Sequence, residues 1–74
     1  MADLSKWESE AKALLKAELK RKGVTYAQLV ERLADRGVVE SEPNLRNKLS
    51  RGKFTAAFML ACLEAIEART LRLD

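Results

Sequence analysis

The chain contains no histidine. Imidazole is the commonest general base and the commonest metal ligand near neutral pH, so its absence removes the usual nucleophile–base pairs. A single cysteine, Cys62, can neither close an internal disulfide nor build a structural zinc site. It lies among apolar residues, where a buried and inert thiol is expected. The three glycines are scattered and form no phosphate-cradling loop. The acidic pairs Glu8/Glu10 and Glu40/Glu42 fall at helix starts or on polar faces, where the helix dipole and water account for them. No enzyme is expected here: no catalytic residue, no cofactor, no metal, no small-molecule substrate. The longest purely apolar run is Ala56–Leu63, far short of the roughly 20 residues of a membrane span. The N-terminal residues lack the basic start and apolar run of a secretory signal. A cytoplasmic protein with no membrane partner is the expectation.

What remains is a composition suited to helices. Of 74 residues, 47% are apolar and 34% charged, with one proline, and Ala, Leu, Glu, Lys and Arg are all good helix formers. One domain over residues 1–74 is expected, burying only about 60–65% of its unfolded surface and therefore gaining from a partner. The net charge of +3 is unevenly placed. Residues 1–42 are neutral overall and residues 64–74 carry −1, while 43–63 hold Arg46, Lys48, Arg51 and Lys53 without a single acid. A basic excess confined to one short segment is the footprint of a phosphate-facing surface, although a solvated basic face would look the same.

Periodicity and capping signals predict an all-α, compact four-helix bundle. The first helix spans about residues 6–22, starting at a Ser5–Glu8 capping box and burying a stripe of Trp7, Ala11, Leu14, Leu15 and Leu19. Lys20, Arg21 and Lys22 complement its C-terminal dipole before Gly23. The second covers 26–36, from a Thr25–Gln28 capping box to Gly37, with Leu29, Val30 and Leu33 inward. Val38 and Val39 should tuck into the edge of the core. The third runs 42–51 from Ser41 as N-cap, with Pro43 in its first turn and Gly52 at its end. The fourth, 56–68, follows Thr55 and turns Met59, Cys62, Leu63 and Ile66 inward, leaving a tail at 69–74.

The third helix carries the functional signal. Leu45 and Leu49 share one face and anchor it, which points Asn47 outward between Asn44 and Ser50. Arg46 and Lys48 lie on opposite shoulders. Asparagine can bond bidentately to adenine, arginine to guanine, and shoulder cations reach phosphates on either strand.

The segments Val24-Thr-Tyr-Ala-Gln-Leu-Val30 and Asn44-Leu-Arg-Asn-Lys-Leu-Ser-Arg-Gly-Lys-Phe54, followed by an apolar helix, resemble the phage-repressor (Cro/CI, or xenobiotic-response-element) helix-turn-helix family. They also resemble a small set of bacterial helix-turn-helix-like proteins of unassigned function. The likeness covers Val24 to Ile66. It implies that helix 26–36 braces the DNA backbone and that helix 42–51 is the recognition helix. It further implies Asn44, Asn47 and Lys48 as base readers and Arg51 and Lys53 as phosphate contacts. Tyr26 stands where the family often has a glutamine touching DNA. Three positions depart from the pattern. Val30 replaces a small alanine, Ser50 replaces a frequent glutamate, and the interval from Val30 to Gly52 is about six residues longer, giving an extended connector in place of the tight turn.

The expected partner is double-stranded DNA, and the expected role is a small bacterial or phage transcriptional regulator working as a homodimer. The Leu4–Trp7 end or the Leu71/Leu73 tail would hold the two copies together. The alternative is a helical adaptor that applies the same basic face to an acidic protein.

Overall fold

The computed structural model describes residues 3–71 and 73 of the chain. It contains α1 (Ser5–Lys22), α2 (Tyr26–Ala34), α3 (Glu42–Arg51) and α4 (Ala56–Ala65), and among the described residues no strand. The fold is an all-α bundle in which α1 packs on α3 and α4, and α2 packs on the same two helices. The core between them is formed by Leu15, Leu19, Leu29, Leu33, Leu45, Leu49, Cys62 and Ile66 with Val24 and Leu63 at its margin. Among the described residues no helix is long and apolar enough to cross a membrane.

Three of the four starts use the expected hydroxyl. The Thr25, Ser41 and Thr55 side chains accept from the amides of Gln28, Asn44 and Phe58 at 3.1, 3.2 and 3.0 Å. Gln28 Oε1 accepts from the Thr25 amide at 2.9 Å, completing the capping box. The box expected at Ser5 does not form. Ser5 is already helical, the N-cap is Leu4, and the Ser5 amide donates instead to Asp3 Oδ1 at 2.9 Å. Asp3 thus supplies the acceptor one turn earlier, and its bonds with Ser5 hold its carboxyl below the usual range.

The helix ends share one grammar. After α1, Gly23 N–H bonds to Lys20 C=O and Val24 N–H to Leu19 C=O; after α2, Gly37 bonds to Ala34 and Val38 to Leu33. Both are Schellman closures, and buried Val24 makes the apolar contact that accompanies them. The second closure ends regular α2 at Ala34, two residues before the expected boundary, which is within the usual uncertainty of a helix end. The same pattern ends α4 at Ala65, three residues early: Glu67 bonds to Glu64 and Ala68 to Leu63. Here the left-handed position is filled by Glu67, φ 59°, and not by glycine.

Two apolar residues expected inside are outside. Trp7 is 57% exposed, with the Lys6 ammonium 5.0 Å over its ring, because α3 ends beside Glu8 and leaves the turn before it uncovered. Val39 is 86% exposed. Its neighbour Val38 takes the place against the core. The reading of 69–74 falls partly outside the described residues, which exclude Arg72 and Asp74. Leu71 packs against the core while Leu73 is exposed.

Two ends differ in what they tolerate. Gly23 and Gly52 share a φ of 68°, but a β-carbon at Gly23 meets nothing, whereas at Gly52 it would overlap the Glu8 backbone carbonyl. Gly23→Ala should cost about 1–2 kcal/mol from the left-handed strain alone. Gly52→Ala should cost clearly more, in a domain near the low end of about 5–15 kcal/mol total stability; chemical denaturation of the two variants checks the order. Glu67→Gly should stabilise by about 1 kcal/mol, since it removes that strain at the end of α4; an unchanged denaturation midpoint would show that the Glu67 backbone is unstrained.

Candidate nucleic-acid interface

Burial of Leu45 and Leu49, both at 0% exposure, fixes which side of α3 faces out. Pro43, Asn44, Arg46, Asn47, Ser50 and Arg51 are exposed along the helix, and Lys53 is exposed beyond its end. Glu42, Pro43, Arg46, Asn47 and Ser50 line a shallow hollow on that face. The outward face therefore carries two amides, a hydroxyl and flanking guanidinium groups on a helix about 15 Å long.

The cations of the segment are not equivalent. Arg46 Nη2 lies 2.6 Å from Glu42 Oε2, one turn back, and the guanidinium sits 5.0 Å from the centre of the Tyr26 ring. Tyr26 heads α2, so this stack brings the start of α2 and the outer face of α3 together. The group stays exposed, so the ion pair restricts its motion more than it stabilises the fold. Arg51 and Lys53 make no ion pair among the described residues.

Lys48, half-exposed on the opposite shoulder, is engaged within the fold. Its ammonium lies 2.6 Å from Glu40 Oε1 and 4.6 Å from the centre of the Phe58 ring. The Glu40 side chain is only 12% exposed, and that oxygen has no hydrogen bond among the described residues, so charge attraction alone holds it. Lys48 thus ties the α2–α3 connector to α3 and covers the edge of α4. Unlike Asn44 and Asn47, the other residues expected to read bases, it is engaged within the fold. Cys62 lies beside this cluster, fully buried, and burial pushes its thiol up to about 12, with the nearby Lys48 only partly offsetting that. Such a thiol stays protonated and unreactive at neutral pH.

Sequence reasoning did not find the Glu40–Lys48 pair, because it spans a connector whose path is set by the fold. The Glu42–Arg46 pair carried a visible signal, the four-residue spacing of opposite charges on one helix. Lys12 was also missed. It reaches from α1 to donate to the Ser50 carbonyl at 3.3 Å, near the end of α3. Among the basic trio ending α1, Arg21 is engaged by the buried Glu18 at 2.6 Å, and that bond and charge raise the Arg21 pKa. Among the described residues no group of histidine, cysteine or acidic side chains could hold a metal ion.

Residues 7–71 match a family described as a domain of unknown function, DUF6471. The chain belongs to that family. The matched span runs from the first turns of α1 to Leu71, which packs on the core, so the DUF6471 unit takes in the whole bundle and the α3 face with it. No curated protein and no solved structure matches the chain.

Within this DUF6471 chain the Glu40–Lys48 pair gives a direct test of placement. Lys48→Met should destabilise by about 1–2 kcal/mol, because it leaves a mostly buried carboxylate without its cation. Adding Glu40→Gln should recover most of that loss. If Lys48→Met melts like the parent protein, Lys48 is free on the surface and available to DNA.

Proposed function

We propose that this chain binds double-stranded DNA in the manner of a helix-turn-helix regulator, placing α3 in the major groove. One observation carries the reading: Asn44, Asn47 and Ser50 share the exposed side of a helix whose other side is locked down by Leu45 and Leu49. Amides on a rigid helix match the donor–acceptor pattern of base edges, and a helix fits a groove about 12 Å wide. Arg46, Arg51 and Lys53 surround those amides and suit the phosphates on either side. The stacking of Arg46 on Tyr26 fits a guanidinium held ready at the groove edge, with less freedom to lose on binding.

The likeness to phage-repressor-type helix-turn-helix proteins supports the same assignment, with α2 as the bracing helix and α3 as the reader. The connector between Ala34 and Glu42 is longer than a tight turn, and Glu40 with Lys48 fastens it. A single α3 reads too few bases for specificity, so two copies acting together complete the proposal. Leu4 and Trp7, each 57% exposed at the start of α1, are the better contact for the second copy, because Leu71 is already turned to the core.

The test is binding to end-labelled duplex across a salt series. Log affinity should fall linearly with log salt, and the combined Arg46→Ala, Arg51→Ala, Lys53→Ala variant should reduce the slope by about three while keeping wild-type helicity. Asn47→Ala should instead cost about 1–3 kcal/mol of preference at one base position. Titration to saturation should give two chains per specific duplex. A triple variant that binds as tightly as wild type would overturn the assignment, and equal binding to polyglutamate would point to an acidic protein partner instead.

A further inference from the structure

Lys12, Lys16 and Lys20 follow one another at four-residue intervals along α1 and so form one stripe on its surface. Contacts at the two ends of the stripe show where it lies. Gly52 abuts the Glu8 backbone, and Lys12 reaches the Ser50 carbonyl, so α1 runs antiparallel beside α3. Further along, Lys16 and Lys20 form one wall of a hollow whose other wall is Thr25 and Tyr26. No acid lines it, and Tyr26 is the residue on which Arg46 stacks. Lys16 and Lys20 of α1 and Arg46 of α3 therefore all lie beside Tyr26.

The α1 dipole accounts for Lys20, in the last turn of the helix, but not for Lys16. Like charges one turn apart weaken a helix, and neither Lys16 nor Lys20 has an ion pair or a side-chain hydrogen bond among the described residues. The carboxylates of α1 do not pair with it: Glu18 is buried and engaged with Arg21, and neither Glu8 nor Glu10 makes an ion pair among the described residues. Lys12 has a structural task, at the end of α3.

We infer that Lys16 and Lys20, continued by Lys12, contact the phosphate backbone of duplex DNA flanking the segment that α3 enters. The inference rests on the α3 reading above and extends it to a second helix. From Lys12 to Lys20 the stripe is about 12 Å long, long enough for its ammonium groups to meet successive phosphates of one strand. Such contacts carry no sequence information. They add affinity to every duplex equally and hold the protein in register.

The experiment measures binding of the full chain to an end-labelled mixed-sequence duplex over a salt series. Lys16→Gln with Lys20→Gln should reduce the salt slope by about two and weaken binding to different sequences by the same factor. Lys16→Arg with Lys20→Arg should keep the wild-type slope, since charge and not the ammonium shape is required. Circular dichroism should show the same helix content in all three proteins. A glutamine variant with an unchanged slope, beside an Arg46/Arg51/Lys53 variant that loses binding, overturns the stripe and leaves the α3 reading standing. Wild-type protein that binds no duplex at low salt overturns both.

Discussion

Where α3 ends, Gly52 lies against the Glu8 carbonyl of α1 with no room for a β-carbon. That close approach sets the separation of the two helices and the direction in which one runs past the other. Much else follows from it. It brings Lys12 to the Ser50 carbonyl and lets Leu45 and Leu49 meet Leu15 and Leu19 in one core. It also leaves the first turn of α1, with Trp7, extending beyond the bundle. A left-handed backbone that only glycine adopts cheaply, at a contact that only glycine fits, places two constraints on one position.

The parts of the fold legible from the sequence were those decided locally. Thr25, Ser41 and Thr55 cap because their hydroxyls reach amides three residues away, whatever surrounds them. Gly23, Gly37 and Gly52 close helices because the backbone turns left-handed there. Leu45 and Leu49 were assignable because one helical face of α3 is otherwise wholly polar. The misjudged positions depended on distant partners. Trp7 has the spacing of a core residue, but no helix reaches far enough to cover it. Val39 is apolar, yet its neighbour Val38 takes the place against the core. Glu67 takes a position where a glycine would have marked the end of α4, so that boundary was invisible. For the basic face, the exposed Asn44, Asn47 and Arg51 could be placed from periodicity, whereas the engagement of Lys48 depended on Glu40 and Phe58.

The cations of the chain divide by what they hold. Arg21 neutralises a buried carboxylate, Arg32 donates to the Ala65 carbonyl at 3.3 Å and ties α2 to α4, and Lys48 fastens the connector. Each serves the bundle itself. Among the described residues Arg51, Lys53, Lys16 and Lys20 make no ion pair and no side-chain hydrogen bond, and they lie on α1, on α3 and just past its end. Charge counted along the sequence weights all of these equally. Charge counted by engagement separates them.

The Glu40–Lys48 tie has a mechanical consequence. The connector between α2 and α3 is long enough to flex, yet Glu40 is fixed to the middle of α3 immediately before Ser41 caps its start. Gly52 holds the far end of α3 against α1, and Leu45 and Leu49 hold its buried face in the core. A duplex lying on both helices would have to match a rigid frame, and any misfit in groove width or curvature would be absorbed by the DNA. Pyrimidine–purine steps, which unstack and kink most easily, would yield first. Preference among sequences would then arise partly from stiffness at base pairs that no side chain touches.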